Sequence, residues 1–300
     1  MAFIIEDLVN GVHSCNFRLL ARAISTVESN DLQATNLLQQ LNINFAIPVV
    51  GITGPPGAGK STLVNALIAS YLQQSKKIAI IAVDPSSPFN YGALLGDRIR
   101  MNEYFNNPNV YIRSVASRGS LGGLANNILE ITDVLRAASF DLILVETVGV
   151  GQSEVEIAGL ADTTIVTLVP ESGDEVQGMK AGLMEIADIF VVNKADRPDA
   201  GIFYQNLKIL LHNRAASNWE IPVIKTIATK QEGIEQLAKH IKSHAQLKFQ
   251  NNKRLILLAQ KAYRLIQKRK MKNVSLNNLI DYLTKHPKTN LYKWVSTMEL

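Results

Sequence analysis

The run Val49-Val50-Gly51-Ile52-Thr53-Gly54-Pro55-Pro56-Gly57-Ala58-Gly59-Lys60-Ser61-Thr62 carries three signals in succession. An apolar, largely β-branched segment enters a Gly/Pro-rich turn that satisfies G-x-x-x-x-G-K-[ST], and helical spacing (Leu63, Leu67, Ile68) begins at once. Strand, loop and helix in that order are the context a phosphate-binding loop requires. Such a loop points several backbone N–H groups into one concavity at a helix N-terminus, and Gly54, Gly57 and Gly59 permit the backbone that does so. Pro55 and Pro56 lack N–H groups but precede the donor arc Gly57, Ala58, Gly59, Lys60, Ser61 and Thr62. In this reading Lys60 reaches the β- and γ-phosphates and Ser61 holds Mg²⁺.

Outward from the loop, apolar strands alternate with helical patterns between Ile47 and about Ala228. Strands are predicted at 48–53, 77–83, 109–113, 141–146, 163–169, 189–193 and 222–227, which argues for a mainly parallel sheet between helical layers. Ligands of such sheets bind beyond the carboxyl ends of the strands, and polar residues collect there: Asp84, Glu146, Asn193. Before the sheet, Leu8, Leu19, Leu20, Ala23, Ile24 and Val27, then Leu32, Leu37, Leu38 and Leu41, recur at helical spacing. After Gly233 the pattern is helical again to Pro287. The expected organisation is a helical extension (1–46), a nucleotide domain (47–247) and a C-terminal helical arm (248–300).

Composition sets bounds on function. Hydrophobic residues make up 47% and charged residues 19%, the balance of a globular chain. No apolar stretch reaches membrane-spanning length, and Met1–Asp7 lacks the basic start of a signal peptide, so the expected home is the cytoplasm. One cysteine, Cys15, excludes an internal disulfide and a cysteine-rich metal site. The net charge of +5 is unevenly spread: residues 248–300 hold twelve Lys/Arg against Asp281 and Glu299, leaving the remainder acidic. A basic arm admits a nucleic-acid contact, but solvated cations on amphipathic helices are the simpler reading.

Asn193-Lys194-Ala195-Asp196 matches N-K-x-D and selects the base. The Asp196 carboxylate accepts from both N1–H and the exocyclic amine of guanine, a donor pair adenine lacks, so the expected ligands are GTP and GDP. Ala228, following the last strand, stands where a backbone donor to guanine O6 is expected. Asp84, Asp97 and Glu146 are the candidate carboxylates for Mg²⁺ and the attacking water, with Ser61 the candidate hydroxyl. Gly149 in Glu146-x-x-Gly149 can follow the γ-phosphate through its N–H; Gln152 stands one residue further on than a Ras-type glutamine. Arg98, Arg113 and Arg118 are alternative ion-pair partners or internal charge stabilisers.

Together with the loop, the segments Val83-Asp84-Pro85-Ser86-Ser87-Pro88, Leu95-Gly96-Asp97-Arg98-Ile99-Arg100-Met101, Arg118-Gly119-Ser120-Leu121-Gly122-Gly123 and Glu146-Thr147-Val148-Gly149-Val150-Gly151-Gln152-Ser153-Glu154 resemble the MeaB/ArgK GTPases, whose eukaryotic relative is the methylmalonic aciduria type A protein. The segments 21–28 and 173–182 extend the resemblance. It implies a three-layer α/β P-loop GTPase of the signal-recognition/MinD-like class with helical N- and C-terminal extensions. It further implies a Mg²⁺-dependent homodimer that chaperones an adenosylcobalamin-dependent acyl-CoA mutase, gating cofactor loading and protecting the cofactor. Gln177 and Lys180 then belong to a third switch, with Lys180 pairing to Glu146 in one nucleotide state. Asn90-Tyr91-Gly92-Ala93 departs from the family's Thr-Gly-Gly-Ser run, which bears on the first-switch contacts.

Two other uses of the same nucleotide site remain open from the residues. A metal-insertion GTPase would need a Cys/His cluster, which one cysteine and five scattered histidines do not supply. A transport-associated kinase or ATPase would be indifferent to guanine, against Asn193 and Asp196.

Overall fold

The computed structural model describes residues 4–29, 32–84, 101–116, 127–147, 153–172, 181–212, 219–247, 252–271 and 274–298. They form two units, Met1–Phe249 and Gln250–Leu300.

The first unit is built on a seven-stranded sheet in which every pairing is parallel. The strands are β1 (Val49–Thr53), β2 (Ile78–Asp84), β3 (Val110–Ala116), β4 (Leu142–Glu146), β5 (Thr163–Leu168), β6 (Ile189–Val192) and β7 (Val223–Lys225), in the order β3-β2-β4-β1-β5-β6-β7. All seven predicted strands are present. β3 runs three residues beyond its expected end because its ladder with β2 continues to the Asp84–Ala116 pair. β7 is shorter than expected because Ile227 leaves the sheet to bridge antiparallel to Glu232. β1 lies between β4 and β5, so the chain reverses its direction of sheet growth there, and the loop after β1 opens at that crevice.

Continuous apolar runs such as Leu142-Ile143-Leu144-Val145 are explained by burial on both faces. One face carries Val49, Ala79, Ile81, Tyr111, Ile143 and Val145 against α1 (Ile5–His13), α2 (Phe17–Ser29), α3 (Leu32–Gln40), α5 (Ile128–Ala137) and α6 (Ser153–Leu160). The N-terminal helices share this core: the Phe17 ring meets Tyr111 edge-on at 5.3 Å and Phe140 at 6.3 Å. The opposite face carries Val50, Ile52, Ile80, Leu144, Ile165 and Val191 against α4 (Lys60–Leu72) and α9 (Ile234–Leu247). Beyond β5, Val166, Phe190 and Val192 pack with Phe203 and Leu207 of α8 (Ala200–His212), following α7 (Ala181–Ile186).

The second unit contains α10 (Asn252–Lys270), α11 (Leu276–Lys285) and α12 (Leu291–Ser296). Ser275 and Asn290 cap the latter two through side-chain oxygens that accept from Asn278 N and Lys293 N. Tyr282 stacks on Trp294 at 4.3 Å, yet α11 and α12 contain no buried residue.

Candidate nucleotide site

The phosphate loop begins where β1 ends. Gly54 has φ +141°, and a Cβ there would collide with the Thr167 carbonyl of β5. Gly59, the left-handed N-cap of α4 (φ +83°), passes so close to Asn193 that a Cβ would sit 2.5 Å from its Nδ2. The Ala58 N–H turns back to Pro55 O at 3.3 Å, and Leu63 N–H bonds Gly59 O at 2.9 Å. The N–H groups of Lys60, Ser61 and Thr62 occupy the first turn of α4, the end of a helix whose dipole favours an anion.

Lys60 is only 7% exposed, unusual for a lysine, and its ammonium donates to Gly54 O (2.9 Å) and Pro55 O (3.1 Å). The cation therefore lies folded along the loop whose phosphates it is expected to meet. Ser61 Oγ donates to Glu146 Oε1 at 2.7 Å, and the Glu146 side chain is 4% exposed. A hydroxyl and a carboxylate side by side form a hard-oxygen donor set, which fits Mg²⁺.

The N-K-x-D run, expected to select the base, lies beside this loop. Asn193 Nδ2 donates to Ala58 O (3.0 Å) and more weakly to Gly59 O (3.5 Å), while its Oδ1 accepts from Thr226 Oγ1 (3.0 Å) and Ala228 N (3.3 Å). The Ala228 N–H, expected to face guanine, is thus directed at Asn193 in this structure. Lys194, at φ +54°, extends its ammonium to Gly57 O at 2.7 Å. Asp196 is exposed to solvent. Its neighbour Arg197 pairs with Glu171, and that hydrogen bond holds the Glu171 carboxyl below the ordinary glutamate range.

The structure therefore brings together Gly57, Ala58, Gly59, Lys60, Ser61, Thr62, Glu146, Asn193, Lys194 and Ala228 at one sheet edge. Asp84 ends β2, whose Ala82 is paired with Glu146, but its side chain lies outside the described residues. Asp97, Gly149, Gln152, Gln177, Lys180, Arg98 and Arg118 also lie outside them. Arg113 is an ion-pair partner: its guanidinium joins Glu28 and Ser25 of α2. A cavity of about 420 Å³ lined by His13, Asn42, Asn44, Arg136 and Asp141 lies where β4 begins, at the sheet edge opposite the loop. Among the described residues, no group of three or more His, Cys, Asp or Glu is arranged to hold a metal. No described helix is long and apolar enough to cross a membrane.

Sequence reasoning missed three threonines in this neighbourhood. Thr226 holds Asn193, and Thr147 Oγ1 donates to Thr53 Oγ1 at 2.9 Å behind the loop. The available signal was a polar residue at the end of an otherwise apolar strand.

Comparison with known proteins agrees with this geometry. The family model described as methylmalonyl-CoA mutase-associated GTPase MeaB matches residues 20–287. A protein of Pyrococcus abyssi whose name assigns it to the GTPases is 46% identical over 245 residues, covering 80% of this chain and 76% of its own. The Escherichia coli GTPase ArgK is 38% identical, covering 73% of this chain and 69% of its own. A solved structure titled as a LAO/AO transport system kinase superposes with TM-score 0.71 at 25% identity, covering 99% of this chain and all of that one. The P-loop, the N-K-x-D run and the all-parallel sheet are thus those of a P-loop GTPase, and the chain belongs to the MeaB family of mutase-associated GTPases.

Proposed function

We propose that this GTPase is the nucleotide-controlled chaperone of an adenosylcobalamin-dependent acyl-CoA mutase of the methylmalonyl-CoA type, gating loading and protection of that cofactor. The family match over residues 20–287 carries the reading, because the family is described by name as associated with methylmalonyl-CoA mutase.

In this proposal the chain hydrolyses GTP by in-line attack of water, and its residues position the reactants. Lys60 exchanges the Gly54 and Pro55 carbonyls for the β- and γ-phosphates, and the first-turn N–H groups of α4 hold the phosphate oxygens. Ser61, Asp84, Asp97 and Glu146 would hold Mg²⁺, which would supply neutralisation of the charge that develops on the phosphates. Asp84 and Glu146 also orient water, and Gly149 reports the γ-phosphate through its N–H. Asp196 selects guanine, while Asn193 and Lys194 tie the base-side segment to the phosphate loop. Gln177 and Lys180 form the switch that transmits nucleotide state to the mutase.

The protein acts as a homodimer in the cytoplasm in this proposal. Support for self-association is the exposure of Leu276 (72%), Ile280 (51%) and Val295 (53%) in the C-terminal unit, side chains whose burial needs a partner surface. The test is hydrolysis measured with a purified adenosylcobalamin-dependent mutase. Acceleration that saturates with mutase, together with mutase capture that differs between GDP and a non-hydrolysable GTP analogue, is the expected result. Unchanged hydrolysis and equal failure of capture in both states would refute the chaperone role. A second reading, a transport-associated kinase, draws on the name of the superposed structure; it requires transfer of the γ-phosphate to a protein acceptor instead of water, visible with labelled GTP.

A further inference from the structure

Two buried hydroxyls lie on the back of the sheet, behind the phosphate loop. β1 and β4 are in register through the Ile52–Glu146 pair, which places Thr53 opposite Thr147 one step further on. The Thr147 N–H continues the ladder to Ile52 O at 3.0 Å. Strand alternation then assigns the side chains to opposite faces. Ile52 and Glu146 point toward α4, where Glu146 meets Ser61; Thr53 and Thr147 point to the face packed by α6. On that face α6 approaches β1 so closely that a Cβ at Gly51 would collide with Ile157.

Thr53 and Thr147 are 0% and 1% exposed, and the Thr147 hydroxyl donates to Thr53 Oγ1 at 2.9 Å. Valine has the same shape and would pack on this apolar face without polar atoms to desolvate, so packing alone does not account for two hydroxyls here. Their bond joins the residue before Gly54 to the residue after Glu146. The phosphate loop and the carboxylate strand are thereby bolted together at the level of the Ser61–Glu146 contact.

We infer that Thr53 and Thr147 are a positioning pair: their hydroxyl bond sets the spacing of the phosphate loop against the Glu146 carboxylate, and so the Mg²⁺ response of the GTPase. In this inference the pair acts through Ser61 and Glu146, from the sheet face opposite to the one that Glu146 shares with α4. The inference rests on reading those two residues as the metal-binding pair.

The test compares Thr147→Val, Thr53→Val/Thr147→Val and Thr147→Ser in the full chain. Urea unfolding without nucleotide or metal should show the single valine variant destabilised, because Thr53 is left without its donor, and the double variant recovered, because both hydroxyls are gone. Catalysis should not follow stability. In both valine variants kcat falls about tenfold or more with KM for GTP within about twofold, the signature of misplaced groups in the transition state. Fluorescent GDP should bind all variants equally in EDTA, while Mg²⁺ tightens its binding less in the valine variants. Thr147→Ser, which keeps the hydroxyl and loses only a buried methyl, should retain the kcat and Mg²⁺ response of the unaltered chain whatever its stability. A double variant with unaltered kcat and Mg²⁺ response overturns the inference, as does a kcat loss that disappears when stability recovers. Ser61→Ala separates the two readings. If it shifts the Mg²⁺ response while the valine variants do not, only the positioning role fails; if it shifts nothing, the metal-site reading fails and the inference falls with it.

Discussion

The Ser61 hydroxyl donates to Glu146 Oε1 at 2.7 Å, joining the first turn of α4 to the last residue of β4 across 85 positions of sequence. Both side chains are buried, at 7% and 4% exposure, so the contact is shielded from water and from screening. It places a hydroxyl and a carboxyl oxygen at the mouth of the phosphate loop, the pair to which the proposed metal role belongs.

Glu146→Gln keeps the shape of the side chain and removes its charge. GTP hydrolysis should fall about 10²-fold or more, with the Mg²⁺ concentration for half-maximal rate displaced upward. Titration of hydrolysis with Mg²⁺ checks this; an unaltered midpoint and rate would exclude Glu146 from the metal site.

Asn193 bonds the phosphate loop through Nδ2 and the β7 exit through Oδ1. Asn193→Ala should therefore weaken both halves of nucleotide binding, with GDP affinity lowered about tenfold to hundredfold and the GDP-induced rise in Tm correspondingly reduced. Thr226→Val removes one of the four bonds and should have a smaller effect in the same calorimetric titration. Equal affinity for GDP in the unaltered and Asn193→Ala chains would contradict the strut.

Asp196 is exposed, three residues along the chain from Asn193, and carries the proposed base-selecting role. Asp196→Asn should lower affinity for GTP and raise it for xanthosine triphosphate, whose 2-oxo group replaces the guanine amine as an acceptor. Competition between the two nucleotides in a folded variant is the measurement. Retained preference for guanine would remove Asp196 from base selection.

Burial pushes the phenols of Tyr71, Tyr104 and Tyr111 up to about 12 from 10.0. A phenol whose folded pKa is raised binds its proton more tightly in the native state, so its contribution is complete below pH 10 and is lost as pH rises to about 12. Alkaline unfolding should begin above pH 10, and Tyr111→Phe, by removing one of the three protons, should move the midpoint upward. Tyrosinate absorbance recorded alongside circular dichroism checks the sign. Ionisation of all eight tyrosines near pH 10 with the dichroism intact would show the reverse.

Local chemistry made much of this protein legible from its residues. The glycines at 54, 57 and 59 permit the positive-φ backbone that a phosphate loop needs, the lysine and hydroxyls that follow complete its motif, and the apolar runs of β1 to β7 announce strands buried on both faces. The N-K-x-D motif is equally local, because Asn193 and Asp196 stand within one turn of chain after β6. Contacts between distant segments carry no such imprint. Nothing in Ser61, Glu146 or Asn193 as single letters states that one oxygen will face another across 85 residues, or that an expected base-recognition asparagine will clasp Ala58. Strand order set those distances: placing β4 directly beside β1 put Glu146 over Ser61, and setting the two strands in register put Thr147 against Thr53. Threonine at a strand end reads as an ordinary β-branched residue until the sheet supplies its partner, because a hydroxyl is committed by its neighbour in space and not by its neighbours in the chain.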